Sequence, residues 1–173
     1  DERFLLDYLG NDEYELQSVV DDDVCLNVEG GQNDPNNVKD LILWPCQNTA
    51  NERFIFTPAE TQTAEDPNLA DARELHPGPA VLENMRAGGV ADARNSTAVG
   101  TPVVSYHRTG LPEQGWDLGW TDYETTVLKN ASSGACMGID EGNQDAAPGM
   151  GVKLQACTGE DNQSWIVKRL RNG

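Results

Sequence analysis

Four cysteines, two histidines and a large surplus of carboxylates are the groups in this chain that could do chemistry. Cys25 and Cys46 lie 21 positions apart, and so do Cys136 and Cys157. Four cysteines permit three pairings, and the equal separations select Cys25–Cys46 and Cys136–Cys157. Structural disulfides point to a secreted protein. They also leave no thiol for nucleophilic attack. His76 and His107 accompany no recognisable nucleophile motif. His107, beside Tyr106, reads as a turn residue or a rim contact to a ligand. Asp21, Asp22, Asp23 and the acidic stretch 140–145 invite a calcium reading. Neither follows the alternating ligand pattern of a calcium loop, and both read as acidic turns. Zinc spacings and glycine-rich phosphate loops are missing. The chemistry expected is therefore binding, without catalysis, cofactor or metal.

Stepping outward from the cysteines, the same spacing frames a repeat. Phe54 follows Cys46 by eight positions, as Trp165 follows Cys157 and Trp116 follows Arg108. Three copies result, at 16–56, 80–118 and 127–167, and self-similarity of this period outranks any local motif. In each copy, short apolar segments alternate with turn residues, as in V-C-L-N-V followed by G-G-Q-N-D-P-N-N. That is the pattern of brief strands in a barrel or sandwich. A unit this small cannot bury its apolar face alone, so the three must share one core. Outside the copies stand an N-terminal arm, 1–15, a linker at 119–126 and a C-terminal tail, 168–173. Residues 2–9 could form a short docked helix. An insertion, 57–79, carries four prolines and five acidic residues, with Asp66-Pro67 poised to start a short helix through Leu75.

The totals exclude several partners. With 29 acidic and 12 basic residues the net charge is -17, which repels phosphate backbones and anionic lipid. Nucleic acid and membrane insertion are not expected, and the apolar runs are far too short for a span. The chain opens at Asp1 with no basic or apolar leader, which reads as an already processed chain. Asn95, Asn130 and Asn162 begin glycosylation sequons, so glycoprotein is the expectation.

Residues Gln114-Gly115-Trp116 and Gln163-Ser164-Trp165, with the variant Glu52-Arg53-Phe54, form a Q-x-W series in register with the repeats. Together with Leu43-Trp44-Pro45-Cys46, this resembles the ricin B-type lectin family over 16–167. The resemblance implies an all-β fold, the β-trefoil, in which Phe54, Trp116 and Trp165 plug a common core.

It also implies where a sugar would sit. In this family a lobe's site combines an Asp near the first cysteine position, an aromatic ring near the second, and Asn or Gln before the Trp. The second lobe matches best, with Asp92, Tyr106 and Gln114, although Glu113 stands where Asn is expected. The first lobe offers Trp44 and Asn51, but Asn27 replaces the Asp and Glu52 the Gln. The third has Gly138 and Gln155 in place of Asp and ring, which implies a structural lobe. The implied function is a secreted lectin for carbohydrate or glycoprotein glycans, a galactose-type sugar favoured. The alternative is a protein-binding trefoil, such as an inhibitor or a toxin's targeting subunit, acting through 57–79 or the N-terminal arm. Asp92 and Tyr106 are expected to lie outside the shared core, so that removing them spares thermal stability.

Overall fold

A computed structural model describes residues 13–31, 38–59, 79–86, 88–121, 124–139 and 146–170. The first lobe holds β1 (Glu13–Ser18), β2 (Val24–Val28), β3 (Lys39–Pro45) and β4 (Phe54–Pro58). The second holds β5 (Ala80–Asn84), β6 (Val90–Asp92), β7 (Val104–Tyr106) and β8 (Trp116–Trp120). The third holds β9 (Thr125–Asn130), β10 (Cys136–Ile139), β11 (Val152–Gln155) and β12 (Ser164–Leu170). A single 3-10 turn precedes the last strand of every lobe, at Ala50–Glu52, Pro112–Gln114 and Asp161–Gln163.

The first and last strands of each lobe close a ring. β1 pairs with β4, β4 with β5, β5 with β8, β8 with β9, β9 with β12, and β12 returns to β1, all antiparallel. The middle strands form three hairpins, β2–β3, β6–β7 and β10–β11, that cap one end. These caps are stitched together by β3–β7 pairing and by bridges from Ile42 to Gly151 and Pro102 to Lys153. The fold is a β-trefoil, and closing the ring removes the exposed edges that short strands would otherwise present.

Alternation along each strand explains what fills the ring. Leu16, Phe54, Phe56, Leu82, Trp116, Leu128 and Trp165 point inward and are at most 2% exposed. Trp116 donates its indole N–H to the Ala91 carbonyl (3.1 Å), and Trp165 does the same to Met137 (3.2 Å). These are equivalent carbonyls of two caps, so each anchor ties ring to cap. Phe54 takes the third position with no donor to satisfy. Each such ring contributes about 2–3 kcal/mol by burial.

Disulfides join Cys25 to Cys46 and Cys136 to Cys157, and no cysteine is free. In the second lobe buried Val90 takes the first cysteine position. Arg108 takes the other, donating from Nη1 to Thr57 Oγ1 (3.1 Å) and so fastening the cap to β4.

Strands run past the repeat limits read from the sequence. β1 starts at Glu13 opposite Leu170, β4 reaches Pro58 opposite Ala80, and β8 reaches Trp120 opposite Thr126. These ends pair in the ladder and still reach the core, with Tyr14 and Ala80 buried in it and Trp120 packed against it. The helices expected at 2–9 and 66–75, His76 and the acidic stretch 140–145 lie outside the described residues. Among those described, no helix is long and apolar enough to cross a membrane.

Candidate functional site

The three cap hairpins share one register. Val90 faces Tyr106 and Asp92 faces Val104, as Cys25 faces Trp44 and Asn27 faces Ile42, and as Cys136 faces Gln155 and Gly138 faces Lys153. Because side chains alternate along a strand, Asp92, Val104 and Tyr106 lie on one face of the β6–β7 hairpin. Asp92, Tyr106 and Glu113 line one depression of about 380 Å³, together with Val38, Val104 and Leu111. Arg94, Asn95 and Thr109 complete it.

Asp92 is 3% exposed and held from behind. Gln114 Nε2 donates to its Oδ2 (2.7 Å), and the Arg94 backbone N–H donates to its Oδ1. The Gln114 amide is itself used up: Nε2 also donates to the His107 carbonyl (2.8 Å), and Oε1 accepts from Thr109 N (2.8 Å). Arg94 and Asn95 both adopt positive φ (58° and 52°), the left-handed turn that brings the Arg94 N–H back to Asp92. Asp92 is thus fixed with its remaining lone pairs available, and half-buried Tyr106 forms a wall.

Asp92, Tyr106, Glu113 and Gln114 are therefore brought together, but His107 is not part of the depression. His107, read as a turn residue or a rim contact, lies tilted against Tyr106 (ring centroids 4.0 Å apart, 46° between planes) with its Nδ1 buried and unpartnered. It follows β7, and its ring stands outside the lining that Tyr106 belongs to.

In the first lobe Asn27, Trp44 and Asn51 line a second depression of about 400 Å³, with Glu29, Ile42 and Arg86. Trp44 is 43% exposed, a free ring face. The two departures noted in the sequence are one exchange. Where Gln114 donates to Asp92, here Asn27 Nδ2 donates to Glu52 Oε1 (3.3 Å). Carboxylate and amide have swapped places, preserving the bond. Glu52 Oε2 accepts from Gln47 N (2.9 Å) and Thr49 N (3.3 Å), holding the turn as Gln114 does. The cost falls on the site: Asn27 Oδ1 accepts from Asn51 Nδ2 (2.9 Å), so the acceptor facing a ligand is already engaged.

The third lobe satisfies itself. A Cβ on Gly138 would collide with Gln155 Oε1, so the Gln155 side chain occupies the space of the missing Asp. That oxygen accepts from Asn162 Nδ2 and Gln163 Nε2, both 3.1 Å, and Gln155 Nε2 donates to the Ile139 carbonyl (2.7 Å).

Two sequons are also corrected. Asn130 is 1% exposed and donates from Nδ2 to the Glu113 carbonyl (2.9 Å); Asn162 is 5% exposed and bonded to Gln155. Neither nitrogen can carry a glycan in this fold. Asn95 is exposed at the edge of the second-lobe depression. Asn130 and its counterpart Asn84, which donates to the Asn51 carbonyl (2.9 Å), instead clamp each lobe to its predecessor's 3-10 turn. The signal for them was in the sequence: Asn-x-x-x-Gly recurs at Asn84–Gly88 and Asn130–Gly134, where the Gly N–H closes on the Asn carbonyl. Asp21, Asp22 and Asp23 form a turn in which Asp23 N donates to Asp21 Oδ1 (3.0 Å).

With register, rings and turns in place, the class is clear: this is a β-trefoil that resembles the ricin B-type lectins. Residues 112–173 match the family model described as ricin-type beta-trefoil lectin domain-like. Among solved structures, the chain is similar to ThreeFoil, a designed 3-fold symmetric protein, at 21% identity and TM-score 0.74, covering 91% of this chain and 99% of that one. It is similar to an exo-beta-1,3-galactanase from Clostridium thermocellum at 14% identity and TM-score 0.76, over 94% of this chain but only 31% of the enzyme. It is similar to the Macrolepiota procera ricin B-like lectin in complex with lactose at 16% identity and TM-score 0.65, covering 91% and 95%. No curated protein matches the chain.

Proposed function

We propose that this chain binds carbohydrate outside the cell, without catalysis, through the depression of its second lobe. The observation that carries the reading is Asp92: a buried carboxylate fixed by Gln114 and the Arg94 N–H, sharing a depression with the half-buried ring of Tyr106. A sugar offers adjacent hydroxyls on its rim and an apolar C–H face. The carboxylate accepts the hydroxyls in charge-assisted bonds, and the ring covers the C–H face. A shallow pocket needs both a flat apolar wall and fixed polar groups, and this one has them. A galactose-type sugar is the choice supported by the similar lectin solved with lactose and the similar galactanase. Trp44 marks a second, weaker site, since its ring is exposed but Asn27 is engaged by Asn51. Two disulfides suit an oxidising, extracellular setting.

Calorimetric titration of unglycosylated protein with galactose and lactose tests this. Binding should fall in roughly the millimolar to high-micromolar range, as for a single shallow site. Tyr106→Ala should abolish it. Binding that survives this change would move the site to Trp44. No binding to any simple sugar would overturn the reading in favour of a protein partner engaged through 57–79, of which 60–78 lie outside the described residues.

A further inference from the structure

One position sets the second-lobe depression apart from the other two lobes. Asn51 and Asn162 occupy the middle of their 3-10 turns, and each donates its side-chain amide, to Asn27 Oδ1 (2.9 Å) and Gln155 Oε1 (3.1 Å). At the same step the second lobe carries Glu113. Glu113 is 6% exposed and lines the depression beside Asp92. Among the described residues its carboxylate accepts no hydrogen bond and joins no ion pair. A donor has been exchanged for an anion, and among the described residues nothing is bonded to it.

A buried carboxylate is costly unless paired and hydrogen-bonded. Asp92 meets that condition from behind through Gln114 and the Arg94 N–H, whereas the Glu113 oxygens open on the depression, where water meets them. Arg94 is the cation nearest in the lining, yet its guanidinium is exposed and pairs with neither carboxylate, so water screens it. The apolar walls are Tyr106, Val104, Val38 and Leu111, while Asn95 and Thr109 add neutral polar groups at the edge. The pocket is rich in acceptors, anionic, and faced by an aromatic ring.

We propose that this pocket selects a sugar bearing a protonated amine, a hexosamine with its amino group free. This rests on the carbohydrate reading above and names the sugar class within it. The ammonium donates charge-assisted hydrogen bonds to Glu113, hydroxyls are taken by Asp92, and the sugar face packs on Tyr106. The net charge of -17 favours the approach of such a cation.

The test compares galactosamine, galactose, N-acetylgalactosamine and lysine amide by calorimetric titration at low salt and about pH 6, where such amines stay protonated. Galactosamine should bind on the order of tenfold tighter than galactose, as suits a new charge-assisted contact. Acetylation removes the charge and should erase the gain, and added salt should shrink it. Glu113→Gln should weaken galactosamine until it no longer exceeds galactose. Glu113→Asn, the residue the other lobes carry here, gives a second variant suited to the turn. Equal binding of galactose and galactosamine overturns the proposal and leaves the carbohydrate reading standing. Lysine amide binding as tightly as galactosamine also overturns it, since the site would then read an ammonium alone. Failure of all three sugars removes the carbohydrate reading and this inference with it.

Discussion

Asp92 serves both the turn behind it and the pocket in front, so its two roles fail together when it is removed. Asp92→Ala would remove one of the two acceptors of Gln114 Nε2, leaving the His107 carbonyl, and open the turn at Arg94. Loss of such a pair costs about 1–3 kcal/mol, so the variant should melt lower as well as lose sugar. The burial of Asp92 and its two hydrogen bonds argue against the expectation that it is thermally neutral. Tyr106→Ala is the cleaner probe, because the ring is half-buried and its hydroxyl bonds to no described residue of the turn. Paired melts and titrations separate the two outcomes. The alignment of V-A-D-A-R with the repeats located Asp92. Its burial could not be read, because a polar residue at a strand end looks like solvent-facing turn. Glu15 escaped notice because it fell in the arm read as 1–15, outside the repeats, while the structure places it inside β1. It lies on β1 opposite Lys168, 3% exposed, with Oε1 unpartnered. Burial pushes its carboxyl above 4.5, the Lys168 charge opposes that, Glu52 adds to it and Arg53 offsets it. Since the folded state holds the proton more tightly, this group's contribution is fully present below 4.5 and is lost as pH rises through the folded value. Glu15→Gln should therefore raise the melting temperature near neutral pH, with the gain fading as pH falls to that range. A gain that persists unchanged in acid would show that ionisation is not its source.

Among elements, the 3-10 turn before each last strand is where lobes are joined. Asn84 and Asn130 reach from the first strand of one lobe to turn carbonyls of the lobe before it. Asn130 also accepts from the Ser132 and Ser133 N–H groups, at 3.2 and 3.1 Å. Asn130→Ala strips a buried hub and should cost about 1–3 kcal/mol in denaturant melts. Protein from a glycosylating host should carry sugar at Asn95 alone, as peptide mass spectrometry would show; a glycan on Asn130 would contradict its burial. Strand positions were legible because apolar segments and turn residues alternate at repeat spacing. The disulfides were legible from equal separations, and by loop entropy each adds roughly 3 kcal/mol. The Asn130 clamp was missed because Asn-Ala-Ser reads first as a sequon. The Asn27–Glu52 exchange was missed because two substitutions 25 positions apart become one bond only when the chain folds.

At the scale of the whole molecule, the question is how much of the chain the closed ring requires. Three anchors in register, Phe54, Trp116 and Trp165, made the threefold plan readable, while the strands at the joints between lobes run past the repeat limits. The joint between β4 and β5 is the widest gap, since 60–78 lie outside the described residues. Its base is nevertheless closed. Thr57 faces Val81 and Pro58 faces Ala80, and Ala59 N donates to the Pro79 carbonyl at 3.0 Å. The two chain ends are already side by side in antiparallel register, the geometry that a two-residue Asn-Gly turn spans. Replacing 60–78 by Asn-Gly should leave β4–β5 pairing and the ring intact. Shortening the loop also lowers its closure entropy, by about 1–2 kcal/mol. The expected product is soluble, carries both disulfides and melts no lower than the parent. Unfolded or insoluble protein would mean that 60–78 supply part of the core. A folded product that still binds sugar would place function in the cap of the second lobe. A folded product that has lost its ligand would move function to the excised segment.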